Sequence, residues 1–274
     1  MAILSSKQIK LDPYFNFNDK NRIIHSITFG KRNTWDHWHL APETRPVIEP
    51  PNVKRREVSV PGRNAALDLT DSIMGFPRYE NRTGKLNFIV LHDYEPNVFE
   101  LIRKIGSYLH GREMTMRLED DWRYFYKGIF WVESVSPTKD YSKITIGYEV
   151  EPFKWSIYTT DDRDWEWDPF NFRTGIVPLN LKDVRVVSTS PTTLSIPPEV
   201  SGVMQETYPK ITVTSSAKEG VDCEVNVGGI RTHTQHLDEG ENRLRTNLIG
   251  NSTIKLSVKS GDAAVDIFFR RGVL

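Results

Sequence analysis

Residues 58–91 read VSVPGRNAALDLTDSIMGFPRYENRTGKLNFIVL, and this stretch decides the fold. Its turns, Pro61-Gly62 and Gly75-Phe76-Pro77, bound runs in which apolar and polar residues alternate, which is typical of paired strands. It holds no serine, cysteine or histidine poised beside a base, and no glycine pattern suited to phosphate. We therefore expect a structural or assembly protein and no enzyme. The candidate structural residues here are Gly62, Arg63, Asp68, Tyr79, Asn81 and Arg82.

The composition of the 274 residues excludes several classes of protein. Lys plus Arg equals Asp plus Glu, at 36 each, so no global field recruits nucleic acid or an anionic membrane. No run of about 18 apolar residues is present, and the first residues lack a signal-peptide core, so we expect cytosolic synthesis. The single cysteine, Cys223, excludes an internal disulfide and a cysteine-built zinc site. It alternates with Val225 and Val227 and is expected in a core.

Periodicity divides the rest of the chain. Apolar residues at helical spacing predict one amphipathic helix over residues 95–111, and alternating runs predict strands before and after it. The pattern of residues along the chain changes near residue 155, which predicts an N-terminal β domain, 1–155, and a C-terminal β-sandwich, 156–274. The clearest strands of the second domain are Val184–Val187, Thr193–Ile196, Ile211–Thr214, Cys223–Val227, Ile254–Val258 and Val265–Phe269.

Residues 33–54, NTWDHWHLAPETRPVIEPPNVK, contain four prolines, which predict an extended segment without helix or central strand. Loops of this length are uncommon in compact domains unless they have a task, such as reaching a neighbouring subunit. Trp38, Pro50 and Pro51 are therefore added to the candidate assembly residues.

The histidines and the acidic residues give little support for a metal site or a catalytic site. His37 and His39 could begin a metal pair, but no third ligand can be named, and His233 and His236 fall in a hairpin pattern that favours solvated strand positions. We expect no metal and no cofactor. The acids of residues 119–121 suggest a glycosidase or a calcium site, but consecutive acids in a turn point in different directions. A solvated turn is the favoured interpretation.

An aromatic cluster offers a candidate binding surface at Trp165, Trp167 and Phe170. Such rings could stack on sugars, anchor a protein partner or cover the sandwich, and the structural or interface role is favoured. Arg63 and Arg82 could pair with Asp68 or Asp71 inside the turn system.

Ordered motifs extend along nearly the whole chain. They are WxLxPxxRPxIxPPxVK (38–54), VPGRxxxLDLT (60–70), GFPRYENR (75–82), YLHGR (108–112), LEDDW (118–122), YKGIF (126–130), ITIGYEVEPFKW (144–155), WEWDPFNF (165–172) and IFFRRGVL (267–274). In this order and at these distances, the chain closely resembles the distal tail protein family of long-tailed phages and prophages of Gram-positive hosts.

The resemblance implies an N-terminal ring-forming β domain with one helix, followed by a galectin-like or carbohydrate-module-like β-sandwich. It implies a homo-hexameric ring at the virion tail tip, assembled in the bacterial host cytoplasm. The implied partners are the tail tube protein, a tail-associated fibre or lysin protein and receptor-binding proteins, with no nucleic acid and no membrane. The alternative is a carbohydrate-binding module that recognises a host cell-wall glycan through the C-terminal sandwich. A hydrolase built on residues 119–121 has the least support.

Overall fold

The computed structural model describes residues 25–62, 64–70, 78–91, 97–138, 141–160, 181–196, 209–215, 220–229, 231–246, 248 and 252–274. The chain is mainly β and divides into two compact units, Met1–Lys154 (unit 1) and Trp155–Leu274 (unit 2). None of the helices in the described ranges has the length and apolarity needed to cross a membrane.

Unit 1 is built on an antiparallel sheet with the strand order β2-β1-β7-β8-β9-β6-β3. A small separate ribbon, β4 with β5, follows the proline-rich segment. The strands are β1 (Ile27–Phe29), β2 (Arg32–Asn33), β3 (Ala41–Pro42), β4 (Glu57–Val58), β5 (Leu67–Asp68), β6 (Arg82–Leu91), β7 (Arg112–Leu118), β8 (Tyr124–Pro137) and β9 (Tyr141–Val150).

The predicted amphipathic helix forms over Val98–Leu109 (α2). The Asn97 side chain caps it by accepting a hydrogen bond from the Glu100 backbone N–H at 3.1 Å. Residues at helical spacing bury one face against the sheet core, as the apolar periodicity requires. These are Val98, Leu101, Ile105 and Leu109. The prediction is confirmed, and of its outer positions residues 95 and 96 lie outside the described residues.

A second, short helix contradicts the expectation of an extended segment over residues 33–54. It is α1 (Thr34–Trp38), and the Asn33 side chain caps it by accepting hydrogen bonds from the backbone N–H groups of Trp35 and Asp36. The prolines begin only at Pro42, so they exclude a helix there but leave the residues before it unconstrained. His39 ends the helix in the left-handed conformation, at φ 52°.

Unit 2 contains two four-stranded antiparallel sheets, ordered β11-β18-β13-β16 and β12-β17-β14-β15, whose apolar residues share one core. A further strand, β10 (Lys154–Thr159), pairs with β19 (Arg270–Val273). The sheet strands are β11 (Val184–Val187), β12 (Thr192–Ile196), β13 (Lys210–Ser215), β14 (Val221–Val227), β15 (Arg231–Leu237), β16 (Gly240–Arg243), β17 (Ser252–Ser257) and β18 (Asp262–Phe268). All six strands predicted for this part form, with ends that differ by at most three residues.

Candidate assembly surface

Residues 40–49 of the proline-rich segment are fixed to unit 1, and we call them the strap. Leu40 and Ile48 are buried in the core. The strap's backbone N–H at Glu43 donates to the Asn87 carbonyl of β6 at 2.9 Å, and Arg45 Nε donates to Asp120 Oδ2 at 2.9 Å. The strap is therefore part of the fold of unit 1.

Arg82 holds the far end of the strap. Its side chain is buried, and Nε donates to the Pro152 carbonyl at 2.7 Å while Nη1 donates to the Glu49 carbonyl at 3.1 Å. The guanidinium lies over the Tyr126 ring, 5.5 Å from its centroid. Burial lowers the pKa of Arg82 from its ordinary value, although the group remains protonated at neutral pH. Arg82 thus ties the strap to the residues that follow β9.

The predicted pairing of Arg82 with an acid of the turn system is wrong for Asp68, and Asp71 lies outside the described residues. Asp68 instead accepts hydrogen bonds from the Thr70 hydroxyl and the Thr70 backbone N–H, which hold the pKa of Asp68 below its usual value. The two side chains therefore belong to different local systems.

The acidic turn at residues 119–121 joins three segments that are distant in sequence. Glu119 Oε2 accepts from the Ser26 backbone N–H at 2.7 Å and from its hydroxyl at 3.0 Å. Asp120 binds Arg45 and is hydrogen-bonded to His25 Nδ1 at 2.8 Å.

The third acid, Asp121, forms an ion pair with Lys154 Nζ at 2.6 Å. The three acids diverge, as predicted, and none of them is buried, which agrees with a solvated turn, but each carboxylate also has a structural partner. Nowhere in the described ranges do three or more His, Cys, Asp or Glu groups gather in a way that could hold a metal ion.

The residues that follow the strap differ completely from it, and they include the ribbon, defined as residues 57–62 and 64–68. Every described residue from 52 to 68 is exposed, including apolar side chains that proteins usually cover. The β4 and β5 strands pair only over Glu57↔Asp68 and Val58↔Leu67. Exposed apolar residues that are grouped in this way are typical of protein interfaces. They are Val53, Val58, Val60 and Leu67.

The remaining candidate residues in unit 1 support these two regions. Tyr79 pairs with Val53 and packs edge-on against Phe153, and Asn81 Nδ2 donates to Glu149 Oε1 at 2.9 Å. Trp38 is 2% exposed and packs edge-on against Tyr108. Pro50 is exposed, Pro51 is half-buried, Gly62 has a φ of +83°, and Arg63 lies outside the described residues.

The histidines do not form metal pairs. His37 lies in α1, where Nδ1 accepts a hydrogen bond from the Asn33 backbone N–H at 3.2 Å, so the extended-strand pairing with His39 is wrong. His233 and His236 lie on β15 and are exposed, which confirms their prediction as solvated strand residues. The second of them is hydrogen-bonded to Asp222 at 2.6 Å.

Unit 2 carries no reactive thiol. Cys223 is 2% exposed in the core, as predicted, and burial raises its pKa to about 12. At neutral pH it is a protonated, inaccessible group without nucleophilic character. Trp165, Trp167 and Phe170 lie outside the described residues, so their role as a candidate binding surface, with a structural or interface function favoured over sugar binding, stays a prediction.

Comparison with known proteins gives a fold. No family model matches the chain, and no curated protein matches its sequence. Among solved structures, the Dit protein of phage SPP1 matches with a TM-score of 0.55 over 91% of this chain and 99% of that chain. The chain shares the Dit fold. The identity is 12%, so the likeness concerns architecture alone, and it agrees with the mainly β arrangement predicted from the sequence. That structure is described as a paradigm of the hub adsorption apparatus in phages that infect Gram-positive bacteria.

Proposed function

We propose that this protein is a structural component of a phage or prophage tail tip. In this proposal six copies form a ring that joins the tail tube to the tail-associated fibre or lysin protein and to receptor-binding proteins. The observation that carries it is the Dit fold, because the likeness extends over nearly the full length of both chains. A likeness of that extent includes both units. We assign ring formation to unit 1 and contacts with other tail proteins to unit 2.

The ribbon is the proposed contact between neighbouring copies. It presents Val58, Val60 and Leu67, and Val53 lies shortly before it in the chain; these exposed apolar side chains would lose their contact with water against a neighbouring subunit. The basic run Lys54-Arg55-Arg56 next to it restricts the partner surface to one that is not basic. Equal numbers of acidic and basic residues also mean that copies of the chain do not repel one another through net charge.

The test is assembly of the full chain, alone and with the tail tube protein, followed by light scattering and negative-stain imaging. We expect rings of six, and we expect Val58→Arg and Leu67→Arg to prevent them because each places a charge in the apolar contact. Phe99→Arg is the matched control, since Phe99 is 68% exposed on α2 outside the ribbon.

Two results would count against this proposal in different ways. A chain that stays monomeric with and without the tube protein, and that binds no tail protein, contradicts the tail-tip role itself. Rings that form equally well in the Val58→Arg and Leu67→Arg variants leave the role intact but exclude the ribbon as the contact between copies.

A further inference from the structure

A groove of about 450 Å³ opens on unit 1, away from the residues of the strap and the ribbon. Its floor is a row across three adjacent strands, in which Thr28 pairs with Asn33 on one side and with Arg117 on the other. Trp35 and Asp36 of α1 form one part of the lining. The volume is within the range of about 300–1,000 Å³ that is usual for small-molecule sites.

The acidic turn completes the lining with Glu119 and Trp122. Trp122 is 49% exposed, and the Arg123 guanidinium carbon lies 5.3 Å from the centre of its ring. This cation–π contact holds the indole in place while almost half of the residue remains open to solvent. An exposed, positioned indole beside a polar floor is therefore available to a ligand with a flat apolar face.

The polar side chains of the groove divide into satisfied and available groups. Asn33 is fully used, because Oδ1 caps α1 and Nδ2 donates to the hydroxyls of Ser26 and Thr28. Asp36 and Arg117, in contrast, make no side-chain hydrogen bond or ion pair with any residue that the structure describes. The groove thus presents one unused acceptor group and one unused donor group near an indole.

We propose that this groove binds a neutral saccharide. Pyranose rings present C–H faces that stack on indole, and their hydroxyls both donate and accept, so one sugar can use a carboxylate and a guanidinium together. Asp36 and Glu119 supply two carboxylates against the guanidinium of Arg117 in the lining and that of Arg123 on the Trp122 ring, so the groove has no excess of positive charge that would favour phosphates or acidic sugars. The inference does not depend on ring formation.

The experiment uses the full chain and saturation-transfer NMR with glucose, galactose, N-acetylglucosamine and maltose, with glucuronic acid as the anionic comparison. The sugar that binds best is then titrated calorimetrically. We expect Trp122→Ala and Arg117→Gln each to weaken its binding roughly tenfold, because each removes one contact of the kind described. The matched controls are Phe99→Ala, an exposed aromatic on α2, and Arg112→Gln, an exposed arginine on the same strand as Arg117.

The expected pattern is binding that both groove variants weaken and both controls preserve. Absence of signal from all four neutral sugars overturns the inference, and so does binding to both groove variants that is as strong as binding to the unsubstituted chain. Stronger binding of glucuronic acid than of glucose overturns the assignment to a neutral ligand. Because both substituted side chains are exposed, circular dichroism is expected to show an unchanged fold in each variant.

Discussion

The strap and the ribbon come from one continuous stretch of chain, and the fold treats them in opposite ways. The strap buries Leu40 and Ile48 and is fixed by hydrogen bonds to β6, the acidic turn and Arg82. The ribbon, a few residues later, exposes apolar side chains of similar size. Prolines occur in both regions, but they do not determine what covers the backbone. Residues supplied from elsewhere in the chain make that difference.

The largest effect is expected where the strap begins. Trp38 is buried against Tyr108 at the end of α1, so Trp38→Ala removes a large core side chain. We expect the free energy of unfolding of unit 1 to fall by about 3–5 kcal/mol. Urea denaturation followed by circular dichroism measures it, with unfolding of unit 2 as an internal reference. The exposed Trp122→Ala is the control, and an equal loss in both variants would contradict the assignment of the effect to the burial of Trp38.

A smaller effect is expected at the other end of the strap. Arg82→Met keeps much of the side-chain volume but removes both hydrogen bonds, leaving the carbonyls of Glu49 and Pro152 without that donor. Relief of the buried charge offsets part of the loss, so we expect a decrease of about 2 kcal/mol in the free energy of unfolding.

A glutamate-specific protease provides a second measurement for Arg82→Met, because a released strap makes the bond between Glu43 and Thr44 accessible. In the wild-type chain the first cleavage is expected after the exposed Glu57. The exposed Arg112→Met is the matched control. Unchanged stability and an unchanged cleavage pattern in Arg82→Met would show that the strap is held by its buried apolar residues alone.

The smallest effect is expected in the ribbon. Gly62 has a positive φ, but a Cβ added there would meet no other atom within 4 Å, so Gly62→Val strains the backbone without a clash. We expect a loss of about 1 kcal/mol, at the lower end of the cost of left-handed backbone for a residue with a Cβ. Gly128→Val is the contrasting glycine, since its Cβ would lie 2.1 Å from the Glu149 carbonyl oxygen. If the two variants lose equal stability, the ribbon is more tightly integrated in the fold than its exposure indicates.

Sequence patterns predicted the elements whose burial follows a local period. Helix α2 and the strands of unit 2 repeat apolar residues at intervals of about 3.6 or 2, and those intervals alone define one face. α1 carried a signal as well, because Asn33 directly before the helix is a favoured cap residue. The four prolines further along favour an extended conformation for the whole of residues 33–54, and that prediction outweighs the cap residue at its start.

The contacts of the candidate site could not be predicted in the same way. The partners of Arg82 are backbone carbonyls at Glu49 and Pro152, 33 and 70 residues away in sequence, and any residue can offer a carbonyl. The groove beside Trp122 has the same origin, because it needs α1, β1, β7 and the acidic turn to meet. Such sites depend on how segments that are distant in sequence are aligned in the folded chain, which a local sequence period does not specify.

The acidic turn has a mechanical consequence. Glu119 binds Ser26, among the first described residues, and Asp121 binds Lys154, the last residue of unit 1. A pulling force applied between residues 25 and 154 would therefore load this one turn directly, bypassing most of the strands between them. The turn connects the segment at Ser26 to the last residue of unit 1, and its contacts with Ser26 or Lys154 must break before the force can extend the strands between them.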